Sequence, residues 1–399
     1  MNETQTTENM APEDFNLLFK KNETLAEFKK SLVPHRIFVD CEREILRRVA
    51  QPGVANILSV VGPTGAGKTQ LLNEVANVLL GLPAPDSSDF ISKLTELETQ
   101  PHLPVVYVTA STGRSFESRF RGLLVEILRS LNAPLITAQA IRSKPGASHR
   151  PPSQALEKVS IPRMEEMVRT FLKERQVRAL LIDEAQHLAQ GSGKDEWRLV
   201  GDGLKLLGSV SGTLVVLFGT SELLGLPYLS GQLGRRTRAL HLRRYLWTDA
   251  DDLEEFKGIV ASFSGAFPKA LPMELMMENL QLVYTGCLGC VGILSSWLYD
   301  AVARAEQLGQ GTVSLEVLKQ TAFSEIRLRR IHTEAQECER SFINEGVGLD
   351  NLIGELCGRV QPPVSLAQKL IKATRKKFKP GNRNPTYDTY KPETCGATA

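Results

Sequence analysis

The chain begins and ends on polar stretches. Between them, continuous apolar runs alternate with segments in which apolar residues recur every three or four positions. A short apolar run bounded by Gly, Pro or Asp predicts a strand buried on both faces, and the three-to-four spacing predicts a helix with one buried side. Val54–Val61 (VANILSVV) is such a run, ended by glycine. A helix follows, with Leu71, Leu72, Val75, Val78 and Leu79 on one face. Pro104–Ala110 (PVVYVTA) predicts a second strand. Phe120–Leu131 predicts a helix carried by Leu123, Leu124, Ile127, Leu128 and Leu131. Residues 132–153 are rich in Pro, Ser, Lys and Arg and read as a loop. Met164–Lys173 predicts a helix and Ala179–Ile182 a short buried strand. Trp197, Val200, Leu204 and Leu207 mark another helix, and Thr213–Gly219 (TLVVLFG) a further strand. Beyond about residue 248 the strand signals stop, and Asp249–Ser262, Glu274–Tyr284, Val291–Gln307 and Leu315–Ile331 read as helices. The alternation predicts an α/β fold, a mainly parallel sheet covered by helices on both faces, with a smaller helical domain after it.

A length of 399 residues is consistent with two or three domains, and 42% hydrophobic with 23% charged residues is the balance of a soluble globular chain. No apolar run approaches the roughly 18 residues needed to cross a bilayer, which excludes a transmembrane helix and a membrane partner. The first residues, MNETQTTENMAPEDF, lack the layout of a signal peptide. Six cysteines are too few for a disulfide scaffold, so a cytoplasmic location is expected. The net charge of +3 decides little, but its distribution is uneven. From Val364 to Ala399 eight basic residues face only Asp388 and Glu393, and KKFKPGNRNPTYDTYKPETCGATA shows no periodicity. That stretch reads as a flexible basic tail.

The chemistry starts at Gly62-Pro63-Thr64-Gly65-Ala66-Gly67-Lys68-Thr69, followed by Gln70. It matches G-x-x-x-x-G-K-[ST] in full, after a predicted strand and at the start of a predicted helix, which is the context that gives the pattern meaning. Glycines let backbone N–H groups converge on phosphate oxygens, and the following helix turns its positive end toward them. Lys68 adds a charge at the β/γ-phosphates and the Thr69 hydroxyl is placed for Mg2+. The strand at Ala179–Ile182 runs into Asp183-Glu184. A carboxylate at a strand tip beside such a loop holds the metal through water, and its neighbour orients and deprotonates an attacking water. Asp183 takes the first role and Glu184 the second; a kinase of small metabolites needs no such Glu. The plain alternative is an acidic helix start. Thr220, at the end of the next strand, stands either near the γ-phosphate or as a helix N-cap. Arg235 and Arg236, in Gln232-Leu-Gly-Arg-Arg, are either solvated surface or arginines that reach a neighbouring subunit's phosphate. Cys287-Leu-Gly-Cys290 offers two of the four ligands a zinc site needs and reads as two small buried residues.

LLIDEAQHLAQGS, then LVVLFGTSELL, QLGRR and HLRRYLW, preceded by VPHRIFVDCEREILRRV, resemble the AAA+ ATPases of the TniB/TnsC family over roughly residues 31–330. Members of that family are ATP-dependent target-selection regulators of heteromeric DNA transposons, including CRISPR-associated ones. The resemblance implies an AAA+ nucleotide-binding domain over 31–247 and a helical lid over 248–335. An arm over 1–30 and an extension over 336–399 flank them. It makes Lys68 and Thr69 the phosphate and Mg2+ pair, Asp183 and Glu184 the acids, Thr220 the sensor, and Arg236, or else Arg235, the trans-acting arginine. ATP and Mg2+ are the implied cofactors. The implied partners are duplex DNA bound without sequence preference, further copies of the chain in a ring or helical filament, transposase subunits, and a targeting protein or guide-RNA complex. Many AAA+ lids carry Gly-x-x-Arg; the corresponding stretch here is Gly289-Cys-Val-Gly292, which implies slow hydrolysis. Arg114, Arg119, Arg121, Arg142, Lys144 and Arg150 are the candidate DNA-phosphate contacts, with loop solubility as the alternative. Three other readings stay open: a replication initiator or helicase loader, a nucleotide-gated scaffold with negligible hydrolysis, and, least favoured, a P-loop kinase.

Overall fold

A computed structural model describes residues 33–82 (except 52 and 54), 102–131 (except 114), 159–188 and 194–346, together with Leu25, Phe28 and Leu356. The chain divides into two units, Met1–Phe342 and Ile343–Ala399, and nearly all the described residues lie in the first.

The strands are β1 (Ile57–Val61), β2 (Val105–Thr109), β3 (Ala179–Asp183), β4 (Leu214–Gly219) and β5 (Thr237–His241). They form one sheet in the order β2-β3-β4-β1-β5, with every pair parallel. Helices α1 (Arg36–Ala50), α2 (Lys68–Leu80), α3 (Phe116–Ser130), α4 (Ile161–Glu174), α5 (Lys194–Ser211) and α6 (Gly231–Arg236) connect or precede them. Because side chains alternate across a strand, each central strand feeds two cores. Leu58, Val60, Leu181, Val216 and Phe218 pack with Ile45, Leu71, Phe256 and Trp297. Ile57, Val61, Leu180, Ile182, Val215 and Leu217 pack with Leu123, Leu128, Val168 and Leu204 on the other face. Burial on both faces is why these strands read as unbroken apolar runs.

After β5 come α7 (Ala250–Ala266), α8 (Met273–Glu278), α9 (Leu280–Cys287), α10 (Val291–Gln307), α11 (Leu315–Thr321) and α12 (Glu325–Gly346). Four expectations from the pattern need correction. β5 has no counterpart among the predicted strands: only Thr237 is buried, Arg238 is exposed and the rest is half-buried, so no apolar run announces it. Val78 is 45% exposed, and Ala76 and Asn77 turn inward instead. The helix expected over 274–284 breaks at Asn279, which leaves helical geometry at φ −107°, ψ 27°. The one expected over 315–331 breaks at extended Ala322 (ψ 148°) and restarts at Glu325 as a separate, longer helix. No single helix among the described residues is long and apolar enough to cross a membrane.

Register places the site. Val61 pairs with Gly219 and with His241, and Thr109 with Asp183, so the carboxyl ends of the strands share one edge. β1 lies between β4 and β5 while its chain continues to β2 at the far edge, a topological switch point of the kind where open α/β sheets bind ligands.

Candidate nucleotide site

The turn after β1 is built by two glycines in the left-handed region, Gly65 (φ 78°) and Gly67 (φ 96°). Gly67 is the N-cap of α2 and supplies no side chain, so the first N–H groups of α2 are left open toward the loop. Lys68 Nζ donates to the carbonyls of Gly62 at 2.9 Å and Pro63 at 3.0 Å, folded back over the loop. Burial lowers the Lys68 pKa, opposed by the charges of Glu184 and Asp183. Ala66 is buried and donates its N–H to the Pro63 carbonyl at 3.2 Å; Thr64 and Gln70 are exposed.

The Thr69 hydroxyl donates to Asp183 Oδ2 at 2.9 Å, joining the start of α2 to the tip of β3 across 114 residues. Asp183 Oδ1 accepts the Glu184 N–H at 2.9 Å. Glu184 has φ 51°, a left-handed conformation that costs about 1–3 kcal/mol for a non-glycine residue. Glu184 leads into a single 3-10 turn, Ala185–Leu188, rather than an α-helix. The strain is held by that bond and by the His187 N–H on the Glu184 carbonyl at 2.9 Å. It projects the Glu184 side chain away from the core, 43% exposed, with His187 Nε2 at 3.9 Å.

Gln186 was missed by sequence reasoning. Its amide nitrogen donates to Glu184 Oε2, and its oxygen accepts the Thr220 N–H at 3.3 Å. A Cβ on Gly219 would strike that oxygen, so Gly219 makes room for the bridge. Only the position of Gln186, two residues past Glu184, hinted at it. Thr220 precedes a 3-10 segment, Ser221–Tyr228, without capping it. Its Oγ1 is buried with no hydrogen-bond partner among the described residues, which disfavours the N-cap alternative and leaves a donor near the Gln186–Glu184 bridge.

On the other side of the loop is a cavity of about 480 Å3 lined by His35, Phe38, Gly67, Gln70, Phe263 and Gly292, a size and composition suited to a nucleobase and sugar. Burial lowers His35 to about 4, so it is neutral; its Nδ1 lies 3.0 Å from the Tyr245 hydroxyl. Gly292 closes the cavity from α10. A Cβ there would stand 2.5 Å from the Gly65 carbonyl oxygen and 3.4 Å from Gly67 N. The donor set fits a nucleoside triphosphate with Mg2+: an open helix start, a lysine, a hydroxyl–carboxylate pair and a buried unpartnered hydroxyl converge on one edge of the sheet.

Residues 52–226 match the family described as AAA domain. The fold is the AAA+ P-loop fold, a five-stranded parallel sheet flanked by helices with a helical region after it. Among solved structures, Cdc6p from Pyrobaculum aerophilum is similar at 16% identity, TM-score 0.46, covering 88% of this chain and 89% of that one. The ORC2 protein of Aeropyrum pernix is similar at 13% identity, TM-score 0.46, covering 89% of each chain. Domain III of the replication initiation protein DnaA from Thermotoga maritima is similar at 18% identity, TM-score 0.41, covering 74% of this chain and 94% of that one. At these identities and scores none of them transfers a role. No curated protein matches the chain.

The other expected residues of the AAA+ domain fall in three groups. Arg235 (exposed) and Arg236 (half-buried) end α6 and make no hydrogen bond or ion pair among the described residues. With Arg198 they border a cavity of about 830 Å3. The candidate DNA contacts Arg119 and Arg121 are both engaged within the chain. Arg119 is 4% exposed and spends its donors on the carbonyls of Leu188 at 3.2 Å and Gly113 at 3.0 Å. Arg121 is tied to the Val159 carbonyl at 2.6 Å, with Glu117 at 3.9 Å. Both side chains hold loops to α3, Arg119 buried and Arg121 a quarter exposed. Arg114, Arg142, Lys144 and Arg150 lie outside the described residues, as do most of the arm and the tail. Cys287 and Cys290 are buried at 0% and 1%, as the reading of small core residues expects.

Proposed function

We propose that the protein hydrolyses ATP at a site shared between subunits. The Thr69–Asp183 bond at 2.9 Å carries this reading, because it joins the loop that grips phosphate to the strand tip that bears Glu184. Mg2+, when held by Thr69 and Asp183, would neutralise charge on the β- and γ-phosphates. Lys68 leaves the Gly62 and Pro63 carbonyls for the phosphate oxygens. Glu184 orients a water and takes its proton as the water oxygen attacks the γ-phosphorus. The bond to the β–γ bridging oxygen breaks, and ADP and phosphate leave. The Thr220 hydroxyl donates to the γ-phosphate or the attacking water, and Gln186 fixes its distance from Glu184. Arg236 or Arg235, without a hydrogen bond or ion pair among the described residues, completes a neighbour's site.

The wider role we propose is ATP-dependent assembly on duplex DNA that links target recognition to transposase recruitment. Its support is the resemblance of LLIDEAQHL, GT and QLGRR, at their spacing, to TniB/TnsC proteins. The basic residues left for DNA are Arg114, Arg142, Lys144 and Arg150, since Arg119 and Arg121 are engaged internally. The second reading, a replication initiator or helicase loader, shares the same site and differs in its partner.

Three experiments test this. Glu184→Gln should retain ATP binding and lose turnover; turnover at the wild-type rate would overturn the general-base assignment. Electron micrographs with ATP and sequence-random duplex DNA should show rings or filaments, whose formation falls steeply with salt. Pull-down of transposase rather than helicase separates the two roles.

A further inference from the structure

One buried cation beside this site has no part in the hydrolytic chemistry. Arg244 lies three residues past the end of β5. Leu242, between them, donates to the Val61 carbonyl at 2.8 Å, and its own carbonyl closes on Gly62 of the phosphate loop. Arg244 is 6% exposed. Its Nε donates to Glu339 Oε1 at 2.7 Å and its Nη2 to Oε2 at 3.3 Å. Its Nη1 approaches the Leu288 carbonyl at 3.4 Å and His332 Nδ1 at 3.1 Å. Leu288 leads through Gly289 into α10, whose Gly292 rests on Gly65 and Gly67. The guanidinium therefore lies against the turn that leads into α10, two residues along the chain from the carbonyl that closes on the phosphate loop. That is the end of the lid where an arginine at position 292 would stand, and a side chain there has no room.

Glu339 belongs to α12, which is held by a narrow seam. Ile331, Ala335 and Cys338 are buried; Cys338 Sγ lies 3.8 Å from His241 Nε2, and Phe342 stacks on the His241 ring at 4.0 Å. His241 ends β5 in register with Val61, so the seam crosses the edge of the sheet beside the phosphate loop. Ahead of the seam α12 is loosely held, with Ile326 83% exposed. Burial pushes the Cys290 thiol up to about 12, with the charges of Arg244 and Lys68 acting against it and that of Glu339 with it.

Two oxygens of a phosphate present a guanidinium with the same fork that a carboxylate does. We propose that Arg244 is a phosphate-binding residue of the same subunit, held in reserve by Glu339, which acts as a built-in carboxylate competitor. The inference rests on the reading of the loop as an ATP site. A triphosphate that takes the guanidinium leaves Glu339 unpaired at the edge of the seam, and α12 loosens. By linkage, anything that draws α12 away then strengthens ATP binding.

The test is calorimetric titration of ATP into the full chain and its variants, with melting temperature measured on each. Glu339→Gln should tighten ATP at least fivefold, with Glu339→Asp as a second variant expected to act in the same direction. Arg244→Ala should weaken it at least tenfold, and the double variant Arg244→Ala/Glu339→Gln should be as weak as Arg244→Ala alone. The exchange Arg244→Glu/Glu339→Arg restores the pair and should restore melting, yet leave ATP weak. Hydrogen exchange over 331–342 should rise with ATP in the wild type and not in Arg244→Ala. If Glu339→Gln leaves ATP binding unchanged or weaker, or the exchanged pair recovers affinity, the pair is a structural clasp and the proposal falls. ATP binding that requires Lys68 but ignores Arg244 overturns this inference alone; binding that ignores Lys68 overturns the site itself.

Discussion

Gly292 is the second residue of α10, and adding one methyl group to it separates two contributions that pull in opposite directions. Alanine is preferred to glycine inside a helix by roughly 0.8–1 kcal/mol, so local propensity alone predicts a gain. The methyl carbon would stand 2.5 Å from the Gly65 oxygen, 3.2 Å from its carbonyl carbon and 3.4 Å from Gly67 N. A carbon prefers about 3.3 Å or more from a carbonyl oxygen, so the overlap is about 0.8 Å. The atoms struck are backbone of the phosphate loop and cannot rotate away. Overpacking of this kind costs about 1–3 kcal/mol, enough to exceed the propensity gain. The cheaper relief is a small outward movement of α10, which opens the cavity beside the loop. Gly292→Ala should therefore weaken ATP binding about 5- to 140-fold, at about 1.4 kcal/mol per decade, and change the melting temperature of the nucleotide-free protein little. Titration with ATP, with melting scans in its presence and absence, measures both. Unchanged or tighter binding together with a raised melting temperature would mean that propensity governs, and that the contact of α10 with the loop does not shape the site.

Three further outcomes are expected. Arg236→Ala should lower ATPase activity at least tenfold with ATP affinity of the monomer unchanged, and mixing it with Lys68→Ala subunits should restore part of the turnover; no recovery in co-assembled protein would refute a trans role. Arg119→Met should destabilise the fold by about 1–3 kcal/mol by stranding the Leu188 and Gly113 carbonyls, and leave the salt dependence of DNA binding unchanged, as read by denaturant melts and binding isotherms. His35, lowered by burial from 6.5 to about 4, is neutral in the fold. Its contribution is complete above pH 6.5 and is lost as pH falls toward 4, because the unfolded chain takes up the proton first. The loss is at most about 3 kcal/mol, so His35→Asn should flatten that part of the stability profile relative to wild type.

Much of the candidate nucleotide site was legible because its determinants are local. The loop from Gly62 to Thr69 needs only a strand before it, a helix after it and glycines where φ is positive. Asp183 and Glu184 are legible as the tip of an apolar run, since a strand buried on both faces must end where carboxylates begin. What the sequence could not determine is where long side chains go. Arg119 reads as a free surface charge, yet its guanidinium is spent on a carbonyl 69 residues away. The Arg244–Glu339 pair spans 95 residues, and Gln186 matters only because β4 brings Thr220 beside it. β5 is nearly silent because a half-buried edge strand needs no apolar run, and its partner β1 is some 180 residues earlier. Backbone conformation follows from near neighbours and leaves a periodic trace. Burial of a charge depends on which carbonyls and carboxylates the packed elements bring within about 3 Å of it, and that distance exists only once the sheet and its helices have assembled.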